Sequence, residues 1–193
     1  MIKREEKSFG KKLIGYFIGF IMVFSAFGVI FFGFGTGGGG VVKYNGLKFY
    51  DKGGYWSAKV DGKEALFTYF PDQVDDIKIE AEFIDRLKNA AQIDSTSKFN
   101  DTLKEPIALA QFQMGVTLQN FNKFLRNGFV DNTSNFQIIR CEEVTSFVPV
   151  LYFRSANQTR AYMENDCLIA ESSNGAETLR LKDRLVYGIL GII

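Results

Sequence analysis

The chain has 193 residues, with 23 Lys and Arg against 22 Asp and Glu, two Cys and no His. The net charge of +1 argues against a nucleic-acid binder that relies on a broad positive surface. The missing His excludes Ser-His-Asp triads, Cys-His dyads and His-ligated zinc or haem, and two Cys cannot by themselves hold an iron–sulfur cluster. We therefore expect no cofactor and no metal.

The first predicted element is a transmembrane helix over residues 13–34, an apolar run of 22 residues without a charge. A helix of that length spans about 33 Å, enough for a hydrocarbon core of about 30 Å. The tail at residues 1–12 is basic, so the positive-inside rule predicts a single-pass plasma-membrane protein with its N-terminus in the cytoplasm. A cleaved signal peptide is the alternative, although its apolar region would ordinarily be shorter, about 7–15 residues.

Two glycines within this run, Gly15 and Gly19, have the GxxxG spacing that lets two membrane helices approach closely. The spacing offers a homodimer contact, with ordinary lipid exposure as the alternative. The predicted partners are accordingly the lipid bilayer and other membrane or envelope proteins, and no nucleic acid.

A glycine-rich linker is predicted over residues 35–42. Residues 33–38 formally satisfy the dinucleotide-binding pattern GxGxxG, but that fingerprint needs a strand before it and a helix after it. Here an apolar helix precedes the pattern and a β-like segment follows, so we interpret it as a flexible tether.

The outer domain is predicted over residues 43–193 and begins with a β-meander. Its strands are expected at Leu47–Tyr50, Tyr55–Val60 and Ala65–Phe70, and Asp61-Gly62 is a strong two-residue hairpin signal. The remaining elements alternate between helical and strand patterns. They are a helix over Ile79–Ala90, a strand over Gln92–Ser97, a long helix from Pro106 that stops near Gly128, strands over Phe136–Cys141, Phe147–Phe153, Arg160–Met163 and Cys167–Ala170, and a helix over Ala176–Ile193.

These elements predict an α+β fold class: a single N-terminal transmembrane helix followed by a mixed α/β extracytoplasmic domain with an N-terminal β-meander and a C-terminal helix.

The two cysteines, Cys141 and Cys167, both fall in the outer domain. An even pair in a non-reducing compartment predicts a disulfide, which in the entropic account would stabilise the fold by about 3.5 kcal/mol. Two free buried thiols are the alternative. Three sequons place candidate glycosylation sites at Asn100, Asn132 and Asn157, all in predicted loops.

Candidate catalytic groups are few. The stretch from Ser95 to Lys98 matches the S-x-x-K nucleophile motif, but the SDN and KTG motifs that accompany it are missing, and we interpret it as an ordinary polar segment. Glu80, Glu82 and Asp85 are expected on a solvated helix face. Glu142 and Glu143 are expected on opposite sides of a strand. No pair of carboxylates suited to glycoside hydrolysis is evident.

Two stretches in the last third of the sequence carry a family resemblance. They are Asn165-Asp166-Cys167-Leu168-Ile169 and residues 183–192, DRLVYGILGI. In these stretches the chain resembles small single-pass membrane proteins of reduced-genome archaeal lineages that share an N-terminal anchor and a Cys pair in the outer domain. The resemblance implies the same topology and compartment, and it implies no activity.

The function that the sequence favours is a membrane-anchored extracytoplasmic binding or envelope-assembly module without a catalytic role. A pilin-like filament subunit is one alternative, since a basic leader precedes an apolar helix and a β-rich head. A surface hydrolase that uses carboxylates alone is the other.

Overall fold

A computed structural model describes residues 39–131 and 136–193, which contain two β-sheets and three α-helices. The first sheet is an antiparallel meander of four strands in the order β1-β2-β3-β4. Its strands are β1 (Val41–Tyr44), β2 (Leu47–Asp51), β3 (Trp56–Val60) and β4 (Lys63–Phe67).

Two tight turns close the outer hairpins of this meander. Asn45 and Gly46 have φ values of 45° and 80°, and Asp61 and Gly62 have φ values of 50° and 78°. Positive φ at both central residues makes turns whose twist matches the twist of the flanking strands. The hairpin predicted at Asp61-Gly62 is confirmed. Strand β1 was not predicted, although Asn45-Gly46 is a two-residue hairpin signal like Asp61-Gly62.

The second sheet has five strands in the order β6-β5-β7-β9-β8. Four of them run parallel, and β8 runs antiparallel to β9. These strands are β5 (Gln92–Ser97), β6 (Phe124–Phe129), β7 (Val150–Ser155), β8 (Arg160–Glu164) and β9 (Cys167–Ser172). The helices are α1 (Ala81–Asn89), α2 (Lys104–Gln119) and α3 (Gly175–Ile189).

Helices α2 and α3 lie between the two sheets. On the meander side, Tyr187 of α3 stacks on Phe67, and Thr117 of α2 donates a hydrogen bond to the carbonyl of Leu66. On the other side, α2 packs on β5 and β6, and α3 packs on β9. The main hydrophobic core therefore includes side chains from both sheets and from the helices between them.

A smaller core covers the face of the second sheet that points away from the helices. It consists of Ile139, Val150, Tyr152, Cys167 and Ile169, with further apolar side chains from residues 130–144 packed against it. The segment before β7 therefore takes the place that a helix layer occupies in a doubly wound sheet.

The predicted α+β fold class is wrong. The larger sheet is mostly parallel, and β5, α2 and β6 form a βαβ unit, so the domain is a mixed α/β structure with an added meander and not α+β. Within residues 39–131 and 136–193, no helix is long and apolar enough to cross a membrane. The predicted span at residues 13–34, the tail at residues 1–12 and the Gly15–Gly19 pair lie outside the described residues.

The helix expected to run from Pro106 to Gly128 is also wrong at its end. Helix α2 stops at Gln119, Asn122 takes a left-handed φ of 57°, and the chain continues as strand β6. The prediction ran too far because the apolar residues keep a helical spacing beyond the end of α2. Leu118 of the helix and Leu125 of the strand both face the same core. Gly128 therefore lies within a strand, where an added Cβ would lie 2.6 Å from the carbonyl oxygen of Gln137.

The strand predicted over Phe136–Cys141 reduces to one isolated bridge between Phe129 and Ile138. After it, Cys141–Glu143 forms a single 3-10 turn. Glu142 and Glu143 are consequently both exposed, and the prediction that they alternate across a strand is wrong.

Candidate binding cleft

A cleft of about 390 Å³ opens between strand β4 and helix α2. Its walls are mainly apolar, and four polar side chains also line it. The apolar and aromatic lining residues are Tyr55, Leu66, Phe67, Phe112 and Val116, the polar ones are Thr68, Gln113, Thr117 and Lys182, and Gly54 completes the rim. Concave, largely apolar sites with a few polar groups are the usual form of small-molecule sites in proteins.

The inner side of the cleft depends on a charged pair that is buried in the middle of the domain. Lys182 is 1% exposed and Asp183 is 0% exposed, because α3 is packed between both sheets. The Lys182 ammonium donates a hydrogen bond to Oδ1 of Asp183. Oδ2 of Asp183 accepts hydrogen bonds of 2.8 Å from the backbone amides of Thr68 and Tyr69. The two amide hydrogen bonds offset part of the cost of burying the carboxylate.

The pKa of Asp183 is raised above its ordinary value of 3.8 by burial, although the Lys182 ammonium and the two backbone amides favour the ionised carboxylate. Burial also raises the pKa of Tyr187, whose hydroxyl donates a 2.7 Å hydrogen bond to the carbonyl of Tyr69. Residues 68–69 are thus held by side chains of α3. This contact positions the polar wall of the cleft, which Thr68, Gln113 and Lys182 form.

Thr68 and Gln113 connect the two walls of the cleft. The Thr68 hydroxyl donates a 3.3 Å hydrogen bond to Oε1 of Gln113. The side-chain nitrogen of Gln113 makes no hydrogen bond to any described residue, and Lys182 donates to Asp183 alone among them. The cleft therefore presents hydrogen-bond donors whose capacity is unused.

An apolar stripe runs along α2 beside the cleft. Leu109, Phe112 and Val116 are 44%, 65% and 43% exposed, and their spacing places them on one side of the helix. Two of them, Phe112 and Val116, also line the cleft. Apolar side chains that cluster at the surface next to a concavity are typical of a binding site.

A side chain of the protein lies at the crevice that usually binds ligands in a parallel sheet. That crevice lies between the carboxyl ends of β5 and β7, where the connections leave the sheet in opposite directions. Oδ2 of Asp101 accepts a 3.1 Å hydrogen bond from the Ser155 amide, and Oδ1 accepts one of 2.8 Å from the Leu103 amide. The side chain of Asp101 thus bridges the ends of the two strands.

The S-x-x-K stretch forms no nucleophilic site. Ser95 lies within strand β5 at 0% exposure, and its hydroxyl accepts a 2.9 Å hydrogen bond from Gln111. Lys98 follows the strand and is exposed. Three positions along a strand place the two side chains on opposite faces of the sheet.

The carboxylates have structural partners or lie in solvent. Glu80, Glu82 and Asp85 are exposed, as predicted. Asp94 pairs with Arg126, while Glu171 on β9 binds three side chains on the outer face of the second sheet. Its partners are Arg154 at 2.7 Å, Arg160 at 2.6 Å and the Tyr162 hydroxyl at 3.1 Å. No Asp or Glu is among the residues that line the cleft.

The cysteines lie at disulfide distance. The Sγ atoms of Cys141 and Cys167 are 2.08 Å apart, and the Cα atoms are 5.3 Å apart. The bond connects the 3-10 turn that precedes β7 to the first residue of β9, beside the smaller core.

Two of the three sequon asparagines, Asn100 and Asn157, are exposed in connections between elements. Asn132 lies outside the described residues.

The residues that form the polar wall of the cleft were missed by the sequence analysis. Thr68, Gln113 and Lys182 lie in three distant segments, so no local spacing unites them. One signal was available: Lys182 and Asp183 interrupt a helix whose apolar residues surround them, including Leu181, Leu185 and Tyr187, and such a helix is buried on several faces.

Within residues 39–131 and 136–193, no group of three or more His, Cys, Asp or Glu is arranged to hold a metal ion. Comparison with known protein families, with curated proteins and with solved structures finds no match. The resemblance to small archaeal membrane proteins thus stays a prediction.

Proposed function

We propose that this domain is a binding module without a catalytic role, and that its ligand occupies the cleft between β4 and α2. The observation that carries the proposal is the cleft itself, about 390 Å³ with apolar walls and unused donors. Phe112 and Val116, two exposed apolar side chains of α2 that line the cleft, support it, because they would pack against a bound molecule.

A binding role is favoured over carboxylate-dependent hydrolysis by the chemistry of the lining residues. Hydrolysis by carboxylates needs two of them on either side of the substrate, about 5–9 Å apart. The lining residues include no carboxylate, and the buried Asp94, Asp101, Glu171 and Asp183 are all bonded within the protein. The pilin-like alternative rests on residues 1–34, outside the described part of the chain.

The domain is further proposed to work in a non-reducing compartment outside the cytoplasm. The cysteines at disulfide distance and the exposed sequon asparagines Asn100 and Asn157 support this location. Alkylation of the unreduced, unfolded chain followed by mass measurement should find no free thiol. Two alkylated cysteines in protein taken directly from its native host would contradict the location.

The binding role is tested by thermal unfolding of the full-length chain against a library of small apolar molecules. A molecule that binds the folded state raises the midpoint of unfolding. Val116→Arg places a long cation at the cleft wall and should abolish the shift. Leu109→Arg is the matched control, since Leu109 lies on the same helix with similar exposure but does not line the cleft.

The proposal fails if no library member raises the midpoint, or if Val116→Arg and Leu109→Arg respond equally. The absence of catalysis is checked on the same samples by recovering the ligand after long incubation. It should be chemically unchanged, and conversion that depends on the wild-type cleft would show an enzyme.

A further inference from the structure

Two polar groups that line the cleft have unused donors, the Gln113 amide and the Lys182 ammonium. The oxygen of the Gln113 amide accepts from the Thr68 hydroxyl, and the amide nitrogen has no partner among the described residues. The Lys182 ammonium has three N–H groups, one of which is directed to Asp183. A ligand that fits must therefore bring a hydrogen-bond acceptor to this end of the cleft.

The charge of the cleft is already balanced. Lys182 is the one charged residue among those that line it, and Asp183 neutralises it from within the domain. Both oxygens of Asp183 are bonded, to Lys182 and to the amides of Thr68 and Tyr69. An ionised ligand group would bring an unbalanced charge into a largely apolar site, which is unfavourable.

We propose that the cleft binds an uncharged molecule that joins an apolar chain to a carbonyl group. The carbonyl oxygen accepts hydrogen bonds from the Gln113 amide nitrogen and the Lys182 ammonium, and the chain packs against Leu66, Phe112 and Val116. This inference rests on the proposed binding function and names the chemistry of its ligand. The same carbonyl chemistry occurs in apolar amides and in the backbone of an apolar peptide.

Calorimetric titration of the full-length chain at pH 7 tests the preference for an uncharged ligand. The ligands are octanamide, octanoate and octylamine, which have the same eight-carbon chain and differ in the polar group. Octanamide should bind about tenfold more tightly than octanoate, and octylamine more weakly still, because its ammonium is charged and offers no acceptor to the Gln113 and Lys182 donors. Equal or tighter binding of octanoate would overturn the inference. N-acetyl-leucinamide forms a parallel arm, and tighter binding than octanamide would identify a peptide as the source of the carbonyl.

Two substitutions at Gln113 test the donor. Gln113 is only half-buried, so replacement there should leave the fold intact. Gln113→Met removes the donor at similar length and should weaken octanamide by about fivefold to tenfold. Gln113→Glu replaces the amide donor with a carboxylate in the cleft and should weaken octanamide while improving octylamine. Gln119→Met, at an exposed position of the same helix, is the matched control.

Octanamide affinity that is unchanged in Gln113→Met, with an unchanged unfolding midpoint, would overturn the assignment of the donor. The two proposals can fail separately. If the octyl compounds bind without preference and Val116→Arg abolishes their binding, the cleft is a binding site, and the proposed preference for an uncharged carbonyl ligand is wrong. If the library screen also finds no ligand, both proposals are wrong.

Discussion

The ring of Tyr187 stacks on the ring of Phe67, with centroids 4.0 Å apart and planes inclined by 21°. Phe67 is the last residue of β4, and the next residue, Thr68, belongs to the polar wall of the cleft. The Tyr187 hydroxyl and the Asp183 carboxylate hold the carbonyl and the amide of Tyr69. One turn of α3 therefore secures the end of the meander and the wall of the cleft together.

Replacing Tyr187 should be among the most damaging changes in the domain. Tyr187→Ala removes a fully buried ring and should lower the free energy of unfolding by about 3–5 kcal/mol. Tyr187→Phe loses only the hydrogen bond to Tyr69 and should cost about 1 kcal/mol. Urea unfolding measures both, with the half-exposed Tyr55→Ala as control. Equal losses in Tyr187→Phe and Tyr187→Ala would show that the ring contributes little.

The buried pair should respond asymmetrically to substitution. Asp183→Leu leaves the Lys182 ammonium and two backbone amides without an acceptor and should cost about 3–5 kcal/mol. Lys182→Met also leaves a buried charge without its partner, but Asp183 keeps both amide hydrogen bonds, so it should cost less than Asp183→Leu. Burial already raises the pKa of Asp183 in the wild type and Lys182 opposes that rise, so the Lys182→Met protein should lose more stability than the wild type as pH rises above 3.8. Unfolding curves at several pH values check both the order and the sign.

Stability in acid should depend on Glu171. Burial alone would raise the pKa of Glu171, but hydrogen bonds from Arg160, Arg154 and Tyr162 outweigh it and lower the pKa below its ordinary value of 4.5. A carboxylate with a lowered folded pKa contributes stability above its unfolded pKa, and that contribution is lost as pH falls through the folded pKa.

In the Glu171→Gln protein this part of the acid loss should disappear, so the unfolding free energy below pH 4.5 should be flatter than in the wild type. Glu164→Gln is the control, because Glu164 is 53% exposed and lies 3.9 Å from Arg154. If the unfolding free energy of Glu171→Gln follows that of the wild type at every pH, Glu171 does not contribute to the loss of stability in acid.

The Cys141–Cys167 bond should matter chiefly through the unfolded chain. It joins residues 26 positions apart, and in the entropic account such a loop is worth about 3.5 kcal/mol. The double substitution Cys141→Ala and Cys167→Ala should lower the free energy of unfolding, measured by chemical denaturation, by about that amount. The wild-type protein under reductant should match the double variant, and a double variant as stable as the oxidised wild type would contradict the account.

Two glycines should respond to alanine in opposite directions. Gly115 lies in α2, where an added Cβ meets Leu125 at an ordinary 3.7 Å, so Gly115→Ala should stabilise by about 0.5–1 kcal/mol. Gly128 lies in β6, where the added Cβ would be 2.6 Å from the Gln137 carbonyl oxygen, and Gly128→Ala should destabilise by about 1–3 kcal/mol. Thermal unfolding of the two variants side by side checks the sign of each.

Local patterns predicted the elements that depend on local chemistry. Strand β5 occupies the predicted Gln92–Ser97, and the Asp61-Gly62 turn is where its dipeptide indicated. The patterns did not reveal strand β6, because residues on a strand and on a preceding helix can share one core and continue a helical spacing by chance. The parallel pairing of β5 with β6 and β7 is non-local, so the sequence carried no direct sign of it.

The cleft was beyond prediction for a related reason. Its polar wall joins Thr68, Gln113 and Lys182, and these come together only after α2 and α3 have packed between the sheets. A charged pair such as Lys182-Asp183 ordinarily indicates a solvated helix face. Here the end of the meander and the residues that follow it, Thr68 and Tyr69, cover that part of the helix, and the pair becomes part of the interior.

The position of α3 between the two sheets has a consequence for biosynthesis. Helix α3 follows all nine described strands in the chain, yet its side chains complete the core of both sheets. During translation, each sheet therefore leaves the ribosome with an apolar face that α2 covers only in part. The nascent domain should remain sensitive to protease and able to bind chaperones until residues 175–189 emerge, and it should then fold as one cooperative unit.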